Sequence, residues 1–207
     1  MENYKKNHHG VIQQIEYTKT VYDQKYVDVR YNNYGELTNY MSHLRLGYII
    51  GSIGEIPNSI LDVGYGNGSF LETSSSIIPN CFGYDVSGVK LSDKIKIVDN
   101  LFSQHYKVIT FFDSLEHCED ICFLEKLNCD YLCISVPWCH NFSDEWFRSW
   151  KHRRPNEHLH HFDHQSLKNF VESQGFVIIN STNIEDTIRK TNHPYQNILT
   201  SIFKKIK

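Results

Sequence analysis

The segment from Ile60 to Gly68 constrains the fold more than any other. An apolar run over Ser59–Val63 leads straight into glycines at 64, 66 and 68, and a helix is expected from about Asn67. A buried strand that ends in a glycine-rich turn and feeds a helix opens an alternating α/β sheet. Glycine suits such a turn because it accepts positive φ and lets a ligand approach the backbone. Further short apolar runs at 81–84, 95–98, 108–112 and 131–136 read as parallel strands, with a helix expected over 118–127. A helix over 165–173, ended by Gly175, precedes two last strands at 176–180 and 198–203. No helix separates those two, so one edge is expected to be antiparallel. The pattern predicts a Rossmann-like, doubly wound, mostly parallel sheet of seven strands with helices on both faces.

The whole chain, 1–207, is expected to be one domain. Residues 1–54 read as an N-terminal helical arm. Its first part, 1–34, is polar and carries Tyr17, Tyr22, Tyr26, Tyr31 and Tyr34, and its second, 36–53, places Leu37, Met41, Leu44, Tyr48 and Ile49 at helical spacing. Residues 138–163 read as a lid-like insertion, dense in Trp, Phe, His and Arg, with Trp138, Trp146 and Trp150. Net charge is -3, which argues against a nucleic-acid partner, since such proteins usually carry a basic excess. No apolar run approaches the roughly 18–20 residues of a membrane span. The start lacks the apolar stretch of a signal peptide, so a cytoplasmic location is expected. The six cysteines form no CxxC pair, and the histidines at 158–164 fit no common zinc spacing with them, so no metal is assigned.

The turn itself selects the ligand. A nicotinamide fingerprint reads G-x-G-x-x-G, whereas here Ser69 follows Gly68 and the spacing is G-x-G-x-G. Asp62 stands two residues before the first glycine, which suits a cationic ligand better than a pyrophosphate. S-adenosylmethionine carries an ammonium and a sulfonium and has no phosphate. Asp85 ends the next strand, where a carboxylate accepts hydrogen bonds from ribose hydroxyls. A NAD-dependent oxidoreductase is the weaker alternative, because Ser69 breaks its fingerprint and no separate substrate domain is present. A non-catalytic S-adenosylmethionine-binding protein is the third reading.

The loop resembles motif I of the class I S-adenosylmethionine-dependent methyltransferases. Leu44-Arg45-Leu46-Gly47-Tyr48-Ile49 is similar to the segment ahead of motif I in the ubiquinone-biosynthesis O-methyltransferases. Gly83-Tyr84-Asp85 resembles their second motif, and the run ending in Leu115-Glu116-His117 resembles their fourth-strand motif. Glu157-His158-Leu159-His160-His161-Phe162, ahead of a helix and Gly175-Phe176, is similar to a segment shared among related methyltransferases. The resemblance implies that Arg45 reaches the cofactor carboxylate. Asp62, Gly64 and Gly66 would line the methionine end, Asp85 the ribose, and Phe112 would pack beside the cofactor. Residues 1–34 and 138–157 depart from the quinone enzymes, so their substrate is not carried over.

Methyl transfer from a sulfonium is an in-line displacement that needs alignment above all. A hydroxyl acceptor also needs its proton taken. His117 follows the fourth parallel strand and His158 the fifth, at the sheet edge where ligands bind. They are the candidate catalytic pair, with Glu116 or His117 alternatively capping a turn. The expected activity is methyl transfer to a small-molecule acceptor, O-methylation favoured, with the chain either a monomer or a homodimer.

Overall fold

The computed structural model describes residues 2–31 and 35–206, the side chains of 30 and 31 excepted, so Tyr34 of the arm lies outside them. Seven strands form one sheet: β3 (Ser59–Val63), β4 (Asn80–Tyr84), β5 (Ile95–Ile97), β6 (Tyr106–Phe112), β7 (Cys129–Pro137), β9 (Phe176–Thr182) and β10 (Ile198–Lys205). Their order is β5-β4-β3-β6-β7-β10-β9. The pairs β3–β4, β3–β6, β4–β5 and β6–β7 are parallel. The reversed strand is not the outermost one, as β10 runs antiparallel to both β7 and β9 between them. This is the expected Rossmann-like sheet, with its antiparallel part placed one strand further in.

Period-two alternation sends side chains to the two faces. Leu61, Val63, Ile109, Phe111, Leu132 and Ile134 join one buried cluster with Leu167, Phe170 and Val171 of α5 (His164–Ser173). Ile60, Val108, Phe112 and Cys133 join the other, with Leu46, Tyr48 and Ile49 of α2 (Gly35–Ile53) and Phe70 and Leu71 of α3 (Ser69–Ser74). The first turn of α5 is fixed by a capping box in which Asp163 accepts from the Ser166 N–H at 2.6 Å.

Three expectations change. The described residues before α2 are not a helical arm throughout: β1 (Tyr4–Lys6) and β2 (Ile12–Gln14) form a hairpin, and among those described only α1 (Gln24–Tyr31) is helical. Second, the helix expected over 118–127 is a 3-10 turn, Cys122–Lys126, preceded by a separate 3-10 turn, Leu115–His117. The buried residues there, Ile121, Leu124 and Leu127, recur every third position, the period of a 3-10 turn rather than an α-helix. Third, the 138–163 insertion contains α4 (Asp144–Ser149) and β8 (His160–His161), and β8 pairs with β2. The hairpin and the insertion share a separate apolar cluster of Tyr4, Ile12, Cys139, Phe147 and Trp150. No helix among the described residues is long and apolar enough to cross a membrane.

Candidate active site

The turn after β3 is built as its glycines require. Gly64, Gly66 and Gly68 all take positive φ, of 78°, 56° and 76°. A Cβ on Gly64 would stand 2.5 Å from the Ser114 Cβ, so both dihedral and space exclude a side chain there. Ser114 donates its hydroxyl to the Val63 carbonyl at 2.6 Å and so pins the segment after β6 against the turn. Asp85 ends β4, and its carboxylate accepts from the Gly66 N–H at 2.8 Å and the Ser87 N–H at 2.7 Å. Beside it a cleft of about 520 Å³ opens at the carboxyl ends of β4 and β5, lined by Tyr84, Asp85, Val86, Ile97, Val98 and Asp99. A carboxylate oxygen that accepts one backbone N–H keeps a lone pair for a further donor.

Asp62 lies beneath the turn rather than on its surface. It is 3% exposed and accepts from the Thr110 hydroxyl at 2.6 Å. Burial pushes its pKa up to about 7, against the opposing pull of the Thr110 hydrogen bond and Arg45. Arg45, on α2, is occupied by protein carboxylates. Its Nε donates to Glu185 at 2.7 Å and its Nη2 to Asp113 at 2.8 Å, and the guanidinium lies 4.2 Å over the Phe112 ring. Arg189 also pairs with Asp113 and Glu185. The two arginines hold the Asp113 carboxyl, which is half-buried, far below the usual range. Phe112 packs edge-on against Phe70 at 4.8 Å, within the α2–α3 face.

His117 and His158, distant in sequence, meet with ring centroids 4.7 Å apart. The Leu159 N–H donates to the Glu116 carbonyl at 2.8 Å and docks the insertion onto the turn that carries His117. The Tyr22 hydroxyl lies 3.0 Å from His117 Nδ1, so the N-terminal segment reaches the same place. Burial and neighbouring imidazoles push the His158 pKa well down, so its ring is neutral near pH 7. His161 is likewise lowered, to about 3, mainly by burial. The segment between β2 and α1 is tied to the insertion: Thr18 N–H and Thr20 Oγ1 bond Asn156, and Tyr26 donates to Glu157 at 2.8 Å.

The structure therefore brings together Asp62, Gly64, Gly66 and Asp85 at one turn, Arg45 and Phe112 beside it, and His117 with His158 of the insertion. The sequence reading missed Thr110, Ser114, Glu185 and Arg189, and it took Asp113, which pairs with two arginines, only as a candidate base. Thr110 was findable, since it pairs with Asp62 in the register of two adjacent strands. Nothing in the local sequence marks Glu185, which is fully buried.

A family profile described as a methyltransferase domain matches residues 41–181, well over half of the chain. The chain belongs to this methyltransferase-domain family. It is a class I methyltransferase whose cofactor is S-adenosylmethionine, and the nicotinamide alternative falls with that match. Solved structures share the fold at low identity. The Burkholderia thailandensis 1,6-didemethyltoxoflavin-N1-methyltransferase is 12% identical with a TM-score of 0.60, over 95% of this methyltransferase and 96% of that chain. The magnesium protoporphyrin IX methyltransferase of Synechocystis PCC 6803 is 14% identical with a TM-score of 0.57, over 91% and 90% of the two chains. A chain of the Haloferax volcanii complex containing the Trm112 methyltransferase activator is 14% identical with a TM-score of 0.60, over 91% and 100%. No curated protein sequence matches this methyltransferase significantly.

Proposed function

We propose that this enzyme transfers a methyl group from S-adenosylmethionine to an oxygen of a small-molecule acceptor. The observation that carries the reading is the Asp85 carboxylate, held by the Gly66 and Ser87 N–H groups at the mouth of the cleft. That arrangement offers an oriented acceptor for ribose hydroxyls, with room for the nucleoside beside Asp99. The cofactor supplies a methyl group on a sulfonium, ready for in-line displacement. Asp62, set beneath the positive-φ turn, supplies negative charge opposite the cofactor's ammonium. Gly64 and Gly66 leave the backbone bare for the methionine end, and Phe112 and Arg45 close its flank.

The acceptor side lies at His117 and His158. An amine acceptor already presents its lone pair, whereas a hydroxyl must lose a proton as the methyl arrives. His117, in ring contact with His158 and 3.0 Å from the Tyr22 hydroxyl, is the proposed acceptor of that proton, since burial leaves His158 itself a weak base, and for this role oxygen is the proposed acceptor atom. The insertion that carries His158, rich in aromatic contacts, suits an enclosed small molecule better than a polymer. The Leu44–Ile49, Gly83–Asp85 and Leu115–His117 runs support a likeness to the ubiquinone-biosynthesis O-methyltransferases, without their substrate. Six unpaired cysteines fit a reducing compartment, here the cytoplasm.

Calorimetry with S-adenosylhomocysteine tests the cofactor half, and a methylation screen of small phenols, alcohols and amines tests the acceptor half. Binding together with transfer to a hydroxyl supports the reading. Transfer to amines alone would overturn the oxygen assignment.

A further inference from the structure

The sheet of β1, β2 and β8 gathers polar atoms that the methyl-transfer reading leaves without a task. Tyr4 pairs with Gln14, and Ile12, two residues before Gln14, pairs with His161, so Tyr4, Ile12 and His161 face the same side of that sheet. Phe147 and Trp150 cover this face, with the His161 ring 5.1 Å from Phe147 and 5.7 Å from Trp150. The Arg153 N–H then donates to the Trp150 carbonyl at 2.9 Å. That turn brings the Arg153 guanidinium over the rings of Tyr4 and Phe147, 5.1 and 5.9 Å from their centres.

Tyr4 is 7% exposed and His161 3%, and neither the Tyr4 hydroxyl nor His161 Nε2 has a hydrogen-bond partner among the described residues. Arg153 Nε, also buried, lacks one too. None of the ion pairs among the described residues includes Arg153. Contact with Tyr4 and Phe147 occupies the face of the guanidinium and leaves its N–H edge, the edge that grips carboxylate and phosphate oxygens in pairs. Burial raises the Tyr4 pKa against the pull of the Arg153 charge, so the hydroxyl keeps a proton to donate. His161, neutral through burial, donates in the tautomer that holds its proton on Nε2. A water molecule would satisfy single N–H and O–H groups but leave the arginine charge uncompensated, whereas an oxyanion answers both.

We infer that Tyr4, Arg153 and His161 form a binding site for one small oxyanion, a carboxylate or phosphate group. The group is either a free anion or the anionic end of the methyl acceptor. The second source rests on the proposed acceptor side, since the His161 and His158 ring centres are 6.4 Å apart. The site itself stands on the hairpin and the insertion alone.

The test titrates untagged full-length protein, in buffer free of carboxylate and phosphate, with inorganic phosphate and with acetate by calorimetry. Salicylate and phenol are titrated in the same way with S-adenosylhomocysteine present. One anion per chain is expected. Arg153→Met keeps the stem over the rings and should weaken binding by about a hundredfold, and Tyr4→Phe should weaken it by about tenfold. Both should keep the wild-type circular dichroism spectrum. Binding of phosphate or acetate alone identifies a free anion as the source. Binding of salicylate, with phosphate, acetate and phenol silent, identifies the acceptor as the source. If Arg153→Met fails to fold, Tyr4→Phe decides alone, since it removes only a hydroxyl. Wild type that binds none of the three anions would overturn the site, and so would equal binding by wild type and the variants. Failure of S-adenosylhomocysteine binding in wild type would instead count against the methyl-transfer reading and leave the phosphate and acetate result standing.

Discussion

The Thr110 hydroxyl donates to the Asp62 carboxylate at 2.6 Å, directly under the glycine turn. The pair sits on neighbouring strands, so the turn rests on a charge that burial resists. Burial raises the Asp62 pKa from 3.8 to about 7. Between those values the unfolded chain releases a proton that the folded chain keeps, so this group costs stability as pH rises, fully above about 7. Asp62→Asn should therefore gain stability over wild type at pH 8, by roughly 1–4 kcal/mol, and little at pH 4. Denaturant melts at the two values check this, and an equal difference at both would show that Asp62 does not titrate in this range.

Cofactor binding should carry the same signature in the opposite sense. An ammonium placed at the turn favours ionised Asp62, so S-adenosylhomocysteine should bind more tightly at pH 8 than at pH 6 and release a proton near pH 7. Calorimetry in buffers of different ionisation enthalpy reads the proton directly. Asp62→Asn should flatten the profile.

Asp85→Ala removes the acceptor of two backbone N–H groups as well as the proposed ribose contact. Charge-assisted hydrogen bonds are worth about 1.5–3 kcal/mol, so S-adenosylhomocysteine affinity should fall by about tenfold to a hundredfold. Unchanged affinity would place the ribose elsewhere.

Arg45→Met would leave Glu185, whose side chain is fully buried, with Arg189 as its remaining cationic partner. Removing one partner of a buried ion pair typically costs about 3–5 kcal/mol. The double variant Arg45→Met/Glu185→Gln should recover much of that loss, measured as a thermodynamic cycle from urea melts. A recovery near zero would show that the two side chains do not act as a pair.

Phe147, 1% exposed, packs edge-on against Tyr4 at 5.2 Å, across the boundary between insertion and hairpin. Phe147→Ala should loosen both segments together, opening them to limited proteolysis while S-adenosylhomocysteine still binds. Loss of cofactor binding in a folded variant would make the insertion part of the cofactor site.

The main sheet was legible because its strands are short apolar runs with turn residues between them, and Asp62, Gly64 and Asp85 sit at positions that local spacing marks. The hairpin was not, because β1 and β2 are three residues each and β2's outer partner is β8, far along the chain. Too few alternations exist in three residues to show a period. The 3-10 turn Cys122–Lys126 was misread as a helix although Ile121, Leu124 and Leu127 carry the period of three. Pairing of His117 with His158 follows from Leu159 bonding Glu116, a contact between segments that no local pattern announces.

The pairing of β2 with β8 also orders the events of folding. Residues 12–14 are made early, yet their partner strand is complete only after 161 residues have been synthesised. A two-stranded hairpin alone is marginal in water. The first strands of the chain therefore gain their third partner only after the turn that follows β3 has been made. A nascent chain halted between β7 and β8 carries the whole glycine turn yet lacks the strand that completes the sheet of β1 and β2.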